Sequence, residues 1–290
     1  MTQSAAADIA VILPTYNGAP HLAQQLEALR HQDIQRDWEL VVVDAGSSDG
    51  TIDIVEAAKA SYPVPIRTIQ LHGAPGINAG LNEAIASVHC ELLAIAEQDD
   101  VVEQSWLRAI TTCLRRAHLV GSRLDTARLN TPAARGTKLA LTDNPRWNAP
   151  TVVATGMGVR RELWTHLRGF DESFRYGGND IEFCIRAAQA GFPSVVCQEA
   201  VVHYRLRTTP RSAYRQAKAY GVAWAQLHKV FGHEVVPRRG TISVLRDWAR
   251  VCRWLVRGVG DERYRMRACY RLGENVGYVR GSVRHRVLYL

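Results

Sequence analysis

The stretch WELVVVDAGSSDGT, residues 38–51, decides the fold class of the chain. Its apolar first half predicts a buried strand over Trp38 to Val43, and the polar, glycine-containing turn leads into a helical period over Thr51 to Ser61. The chain repeats this order of strand, polar turn and helix. Such a βαβα series predicts a mainly parallel, Rossmann-like α/β sheet covered by helices on both faces.

Three more strand and helix pairs flank this stretch. The predicted strands are Ile9 to Leu13, Ile66 to Leu71 and Leu92 to Ala96, followed by helices over His21 to His31, Ile77 to Val88 and Gln104 to Arg116. Further along we expect an irregular loop over Gly121 to Pro150, strands over Thr151 to Val159 and Ser194 to Gln198, and helices over Arg161 to Leu167 and Asp180 to Ala190. From Arg211 onward the pattern is basic and helical.

The composition is that of an ordinary globular protein. The chain has 290 residues, of which 47% are hydrophobic and 22% charged. No apolar run approaches the ~20 residues that a transmembrane helix needs, so we expect a cytoplasmic protein. The six cysteines occur singly, without the close pairs of zinc or redox motifs, which predicts reduced and mostly buried thiols.

The net charge of +8 is distributed unevenly. Residues 1–203 carry 17 Lys and Arg against 23 Asp and Glu, whereas residues 204–290 carry 19 against 5. Within the basic part, Trp248, Val251, Leu255 and Val259 recur at near-helical spacing among arginines. Three interpretations stay open: helices packed on the α/β domain, peripheral contact with the inner face of an anionic membrane, and a homodimer interface. Nucleic acid is not an expected partner, because no recognised binding motif is present.

Polar residues follow three of the predicted strands. They are PTYN at 14–17, DAGSSDG at 44–50 and EQDD at 97–100. Ligands of open α/β sheets bind beyond the carboxyl ends of the strands, so these segments are candidate site residues. Asp44 could accept hydrogen bonds from a base or a ribose, whereas Asp49 is more typical of a helix N-cap.

The three carboxylates in EQDD suit a hard cation such as Mg²⁺ or Mn²⁺, shared with a diphosphate. The alternative is an acidic helix N-terminus stabilised by the helix dipole. Neither a G-x-G-x-x-G fingerprint nor a P-loop is present, which removes the main support for nicotinamide chemistry and ATP hydrolysis.

Taken in order, the motifs resemble those of the inverting glycosyltransferases of family 2, which have the nucleotide-sugar-binding GT-A fold. The matching motifs are VILPTYNG (11–18), VVVD (41–44), DGT (49–51), GLN (80–82), EQDD (97–100), RRE (160–162), GFDE (169–172), GND (178–180) and VH (202–203). The resemblance covers roughly residues 8–205. It implies a GT-A catalytic domain over 1–205, with a nucleotide-sugar half at about 8–120 and an acceptor half at 121–205, and a basic, mainly helical extension over 206–290.

The resemblance also implies roles for single residues. Those assigned to the nucleotide sugar are Pro14, Thr15, Tyr16, Asp44, Arg67 and Gln98. Asp99 matches the second carboxylate of the family's Asp-x-Asp and His203 matches a histidine that often completes the metal site; Glu97 is the third expected ligand. Asp180 matches the general base.

Three positions depart from the family pattern. Glu97 replaces the first aspartate of Asp-x-Asp, which keeps the charge but lengthens the side chain. Ala45 stands where a second aspartate is common, and Asn179 replaces the glutamate before the base. One carboxylate is enough for the chemistry, because an inverting transfer needs a single base to take the proton of the acceptor hydroxyl.

The resemblance therefore predicts transfer of a hexosyl or deoxyhexosyl group, with inversion, from a UDP- or dTDP-sugar to a hydroxyl acceptor. A divalent cation, Mn²⁺ or Mg²⁺, would assist. The acceptor would be a saccharide, a lipid-linked compound or a small molecule, in polysaccharide or glycoconjugate biosynthesis. One alternative is a non-catalytic nucleotide-sugar-binding or scaffold protein. A sugar nucleotidyltransferase is disfavoured, since PTYN is not a glycine-rich, basic phosphate loop.

Overall fold

The computed structural model describes residues 7–71, 76–131, 150–175 and 177–289. These residues fall into two compact units. The first comprises the described residues up to 125 together with 150–175 and 179–204, and the second comprises 126–131, 177–178 and 205–289.

The first unit is an α/β structure. Its strands are β1 (Ile9–Thr15), β2 (Trp38–Asp44), β3 (Ile66–Gln70), β4 (Leu92–Ile95), β5 (Val101–Val102), β6 (Leu119–Asp125), β7 (Met157–Arg160) and β8 (Val195–His203). Its helices are α1 (Leu22–Arg30), α2 (Thr51–Lys59), α3 (Ile77–Ala86), α4 (Trp106–Cys113), α5 (Arg161–His166) and α6 (Asn179–Gln189).

The strands form one eight-stranded sheet in the order β3-β2-β1-β4-β7-β6-β8-β5. β1 runs parallel to β2 and β4, and β2 runs parallel to β3, whereas β7 is antiparallel to β4 and β6. Thr15 lies opposite Asp44, and Ile12 lies opposite Ile95. The carboxyl ends of β1, β2 and β4 therefore lie at the same edge of the sheet.

Helices cover both faces of this sheet, as the sequence predicts. Val11 and Leu13 of β1 are buried in one core cluster with side chains of α1, α2 and α4, while Ile12 is buried in a second cluster with side chains of α3, α5 and α6. Because successive strand residues point to opposite faces, a strand buried on both sides must be apolar throughout. This explains the uninterrupted apolar runs in the sequence.

Three boundaries differ from the sequence prediction. The irregular loop expected from Gly121 begins only after β6, which pairs with β7 and β8; residues 132–149 of that loop lie outside the described residues. The strand expected over Thr151 to Val159 is confined to β7, because Gly156 has a φ of +73° and interrupts the extended backbone. β8 continues past Gln198 to His203, where it pairs with β5 and β6.

The prediction that all six cysteines are reduced is wrong. A disulfide joins Cys113, at the end of α4, to Cys197 in β8, with a Cα–Cα distance of 6.2 Å and a sequence separation of 84 residues. The sequence spacing could not reveal this pair, because only the sheet brings α4 and β8 together. Cys90 and Cys184 are free and buried, as expected, whereas Cys252 is free and exposed.

The second unit contains three long helices: α7 (Pro210–Val235), α8 (Thr241–Arg257) and α9 (Glu262–His285). Glycines spaced four residues apart on α9, at positions 273, 277 and 281, let α7 and α9 approach closely. A Cβ atom on Gly277 would lie 2.3 Å from the Lys218 carbonyl oxygen and 2.8 Å from the Gly221 Cα. The backbones of the two helices are therefore in direct contact at this point.

Replacing Gly277 by alanine is expected to push α7 and α9 apart. Overpacking of a tight interface typically costs about 1–3 kcal/mol, and backbone atoms cannot move aside as a flexible side chain can. We predict that Gly277→Ala lowers the melting temperature of the chain. The melting temperature is measured from the helical circular dichroism signal. Gly260→Ala is the control, since a Cβ there meets nothing within 4 Å. Equal melting temperatures for both variants would contradict the close approach.

Candidate active site

The carboxyl ends of β1 and β2 are joined by a hydrogen-bond network around Asp44. Thr15 Oγ1 donates to Asp44 Oδ1 (3.2 Å), and the backbone N–H groups of Gly46 and Ser47 donate to Asp44 Oδ2 (3.1 and 2.9 Å). The Ser47 hydroxyl also donates to Asp44 Oδ1. Asp44 is only 2% exposed, so its carboxylate shapes the loop after β2 and does not face solvent.

The loop after β2 is in turn fixed to the segment that follows β1. The Asn17 N–H donates to Ser47 Oγ (2.9 Å), and the Ser48 N–H donates to Asn17 Oδ1 (2.9 Å). Asp49 accepts hydrogen bonds from the N–H groups of Ala19 and Thr51 and precedes Gly50, the N-cap residue of α2. The N-cap residue of α2 is therefore Gly50, whereas the sequence predicts Asp49. The Asp49 carboxylate instead connects the two loops.

Gln98 holds the backbone of Tyr16 through two hydrogen bonds. The Tyr16 N–H donates to Gln98 Oε1, and Gln98 Nε2 donates to the Tyr16 carbonyl oxygen, both at 3.0 Å. The Tyr16 side chain is left 58% exposed. Gly18 makes this arrangement possible, because a Cβ there would lie 2.1 Å from Gln98 Oε1. The structure thus brings the residues after β1 and the EQDD segment together, with an aromatic ring presented to solvent.

The segment before β7 connects the EQDD segment to the start of α6. Thr155 Oγ1 donates to Asp100 Oδ2 (2.7 Å), and the Gly156 N–H donates to the Ile95 carbonyl oxygen (2.9 Å). One residue earlier, the Ala154 N–H donates to Asp180 Oδ2 (3.3 Å). Adjacent Cα atoms are about 3.8 Å apart, so Asp100 and Asp180 are anchored to neighbouring positions of one short segment.

Asp180 lies in the first turn of α6, where it also accepts a hydrogen bond from the Ile181 N–H (2.8 Å). Burial raises the pKa of the Asp180 carboxyl above its ordinary value, while the N–H groups of Ile181 and Ala154 act in the opposite direction. A carboxyl with a raised pKa holds a proton more readily than an exposed aspartate does. Shifted pKa values of this kind are typical of functional sites. Structural ion-pair networks are the usual other cause of such a pKa shift.

His203, the last residue of β8, lies between two carboxylates. Its Nδ1 is 2.6 Å from Asp125 Oδ2 and its Nε2 is 2.5 Å from Glu103 Oε1, and the residue is 6% exposed. Both contacts follow from the sheet, because His203 pairs with Asp125 of β6 and with Val101 of β5. Which ring nitrogen of His203 donates and which accepts depends on the tautomer.

The three expected metal ligands do not form a closed group. Among the described residues, the one set of three His, Cys, Asp or Glu side chains with ligand atoms within 4.8 Å of one another is Cys113, Cys197 and Glu199, whose cysteines are in the disulfide. Asp99 and Glu97 are half-buried in the EQDD segment, while His203 Nε2 contacts Glu103. The donor types nevertheless suit a hard cation, which usually takes one or two carboxylates plus substrate phosphates.

Of the residues predicted to bind the nucleotide sugar, Arg67 is placed differently from expectation. Arg67 pairs with Val41, three positions before the end of β2, and its guanidinium binds Glu39 (2.9 Å) and the Ser87 carbonyl oxygen (3.3 Å). Ser87 follows α3 and lies at the end of the sheet where β4 begins, whereas Asp44 lies at the carboxyl end of β2. Because its guanidinium is bound to Ser87 and Glu39, Arg67 does not reach Asp44. Pro14, by contrast, is buried next to Thr15 at the end of β1.

Three residues of the site, Thr155, Glu103 and Asp125, could not be predicted from the sequence. Thr155 carries no local signal, since its partner Asp100 is 55 residues away in the sequence. Asp125 ends a strand that the sequence analysis assigned to a loop. Glu103 follows the two-residue strand β5, which is too short to give a periodic pattern.

Comparisons with known proteins support this interpretation of the fold and the motifs. The family model described as "Glycosyltransferase like family 2" matches residues 6–223. The chain is 32% identical to the uncharacterized glycosyltransferase YfnE of Bacillus subtilis over 89 residues, which is 31% of this chain and 22% of YfnE. It is 28% identical to the poly(ribitol-phosphate) beta-N-acetylglucosaminyltransferase TarS of Staphylococcus aureus over 110 residues, 37% of this chain and 19% of TarS. The matched segments thus span about a fifth of these relatives' length.

Two solved structures share the fold over most of the chain. The mannosyltransferase PcManGT of Pyrobaculum calidifontis, in complex with GDP-Man and Mn²⁺, superposes with a TM-score of 0.67 at 19% identity, covering 96% of this chain and 88% of PcManGT. S. aureus TarS 1-349 in complex with UDP gives a TM-score of 0.55 at 18% identity, covering 96% and 92%. At these identities the likeness concerns the fold.

The raised pKa of Asp180 predicts a pH-dependent effect of Asp180→Asn on stability. Because the folded-state pKa lies above the unfolded one, ionising Asp180 costs free energy in the folded state, and that cost is present at pH values above the folded pKa. Asparagine carries no charge, so the Asp180→Asn variant does not have this free-energy cost. We expect a higher melting temperature for the variant than for the wild type at pH 7, with the difference shrinking as the pH falls towards the ordinary value of 3.8.

The control for this measurement is Asp53→Asn, since Asp53 occupies the first turn of α2 but is exposed. It should change the melting temperature little at either pH. A melting temperature of Asp180→Asn below that of the wild type at pH 7 would argue against a costly buried charge.

Proposed function

The chain belongs to glycosyltransferase family 2, and we propose that it transfers a hexosyl or deoxyhexosyl group, with inversion, from a nucleoside diphosphate sugar to a hydroxyl acceptor. The observation that carries this proposal is the pair of hydrogen bonds from neighbouring residues Ala154 and Thr155 to Asp180 and Asp100. These bonds anchor the only predicted base beside the acidic segment expected to face the diphosphate. An inverting transfer needs this proximity, because base and leaving group act on opposite sides of one anomeric carbon.

Asp180 is the proposed general base. Its carboxylate would accept the proton of the acceptor hydroxyl while the hydroxyl oxygen attacks the anomeric carbon and the bond to the diphosphate breaks. Burial, which raises its pKa, makes it a stronger base than an exposed aspartate. The N–H groups of Ala154 and Ile181 hold the carboxylate in place. Asn179, in the position of the family's glutamate, supplies no second carboxylate. Asp180 is therefore the one carboxylate of this pair that can accept the proton.

The donor is proposed to be a UDP- or dTDP-sugar bound at the ends of β1, β2 and β4. The exposed ring of Tyr16 offers a face on which a pyrimidine base can stack, and Gln98 fixes the backbone behind it. Asp44 is proposed to act by shaping the loop after β2, since its oxygens already accept four hydrogen bonds. Support for a nucleotide ligand comes from the TarS complex with UDP, which has the same fold.

Asp99 is the proposed ligand of a divalent cation, Mn²⁺ or Mg²⁺, with His203 and Glu97 as further candidates. A bound cation would neutralise the negative charge that the leaving diphosphate gains. Asp125, held at 2.6 Å from His203 Nδ1, would leave Nε2 as the nitrogen that could bind a cation in place of its present contact with Glu103, with a carboxylate behind a ligating histidine as is usual. PcManGT, with Mn²⁺ bound, supports a cation in this fold.

The acceptor is proposed to be a saccharide or a lipid-linked compound in polysaccharide or glycoconjugate biosynthesis. TarS, a poly(ribitol-phosphate) beta-N-acetylglucosaminyltransferase by its name, supports a glycopolymer or a similar hydroxyl-rich acceptor.

Asp180→Asn is expected to abolish sugar transfer while leaving donor binding nearly unchanged. Loss of a general base typically lowers the rate by ~10²–10⁴, and Asp180 does not belong to the proposed donor site. Turnover is measured as release of the nucleoside diphosphate in the presence of an extract that supplies the acceptor. Donor binding is measured separately by calorimetry. Asp53→Asn serves as the control and should keep full activity. Unchanged turnover of Asp180→Asn would exclude it as the base.

Asp99→Ala is expected to weaken donor binding more than tenfold in Mn²⁺ and to remove the difference between Mn²⁺ and EDTA. Calorimetry with a panel of nucleotide sugars measures this change; a cation held by Asp99 would supply positive charge for the diphosphate of the donor. Arg67→Ala is the matched control, since Arg67 is bound to Glu39 and Ser87 away from the site. If the wild type binds no donor under any condition, the non-catalytic scaffold interpretation becomes the better account.

A further inference from the structure

Helix α8 has an apolar face that is largely exposed in the part of the chain that the structure describes. Its large apolar residues are exposed at Ile242 (66%), Leu245 (64%), Trp248 (38%), Leu255 (47%) and Val256 (75%). With Ala249 and Cys252, which are also exposed, they occupy one continuous sector of about 140° at 3.6 residues per turn. Val259, two residues past the helix, is 85% exposed.

A different face of α8 fixes its orientation. Asp247 and Val251 are buried, at 3% and 1% exposure, so Val251 does not share the exposed face of Trp248 and Leu255, with which the sequence spacing groups it. Asp247 forms ion pairs with Arg239, which precedes α8, with Arg250 of α8 itself (3.0 Å) and with Arg271 of α9 (3.5 Å). Arg271 in turn pairs with Glu274 (2.6 Å). This buried network holds α8 on α9, so that the apolar sector faces outward.

The third face of α8 is cationic. Arg246, Arg250, Arg253 and Arg257 are all exposed and fall within about 60° of the helix circumference, directly beside the apolar sector. Arginine at the edge of an apolar face can extend its guanidinium to phosphate groups while its methylene groups stay on the apolar side. The three faces therefore suit a helix lying in the interface of a bilayer with anionic lipids.

We propose that α8 is a peripheral membrane anchor, with the apolar sector inserted among lipid chains and the arginine row bound to anionic headgroups. Charge complementarity favours this occupant over a second copy of the chain bound through the same face, because residues 204–290 carry 19 Lys and Arg against 5 Asp and Glu, and two such surfaces repel each other. Among the described residues no helix is long and apolar enough to cross a bilayer. This inference does not depend on the proposed sugar transfer.

Co-sedimentation of the full chain with vesicles tests the proposal without any nucleotide or sugar. We expect binding to vesicles of phosphatidylcholine with phosphatidylglycerol, weakening as salt is added, and little binding to phosphatidylcholine alone. Val256→Glu should lower the partition coefficient more than tenfold, since it places a charge in the apolar sector. Val230→Glu, the same change at a 52% exposed valine of α7, is the matched control and should bind as the wild type does.

The arginine row has its own pair of variants. Arg246→Gln/Arg253→Gln should reduce binding about 30-fold, at ~1 kcal/mol for each arginine near the surface. Arg115→Gln/Arg116→Gln, two exposed arginines of the first unit, should leave it unchanged. Absence of binding to anionic vesicles, or wild-type binding by Val256→Glu, would overturn the proposal.

Insertion of the apolar sector can be followed at Cys252, which is exposed and free. In a Cys269→Ser background, an environment-sensitive dye on Cys252 should shift to the blue with anionic vesicles and be quenched by quenchers placed in the lipid chains. No shift on vesicle-bound protein would overturn insertion. A dimer in solution that Val256→Glu dissociates, together with no vesicle binding, would assign the face to a second copy instead.

Discussion

The register of β1 with its two parallel neighbours determines where the polar groups of the first unit lie. Thr15 is opposite Asp44 and Ile12 is opposite Ile95, so three strands end at one edge of the sheet. A shift of one residue would turn every apolar side chain of β1 to the other face, which the two separate cores do not permit. Packing on both faces thus fixes the position of the loops that carry the candidate site.

A second constraint acts where the segment before β7 meets the sheet. Gly156, with a φ of +73°, leaves no room for a Cβ, which would lie 2.3 Å from Ser122 Oγ and 2.7 Å from Val202. The tight turn places Ala154 and Thr155 where they bind Asp180 and Asp100. The proposed base is therefore positioned by a backbone conformation that few residues other than glycine adopt.

The sequence predicts the parallel half of the sheet well because each of its elements is a local pattern: an apolar strand, a polar turn, an amphipathic helix. It does not predict the Cys113–Cys197 disulfide, the Thr155–Asp100 hydrogen bond or the carboxylates on either side of His203, since each joins residues far apart in the chain. Helix α8 illustrates the same limit. Periodicity marks it as amphipathic, but only the ion pairs of Asp247 decide that Val251 is buried.

The central claim is that one site at the carboxyl ends of β1, β2 and β4 binds a nucleotide, with Asp99 towards the diphosphate and Asp180 beside it. A crystal structure of the chain with UDP and Mn²⁺, with anomalous scattering to locate the metal, tests this most directly. We expect manganese at bonding distance from an Asp99 carboxylate oxygen and the uracil against the Tyr16 ring. Nucleotide bound elsewhere, or manganese without contact to the EQDD segment, would contradict it.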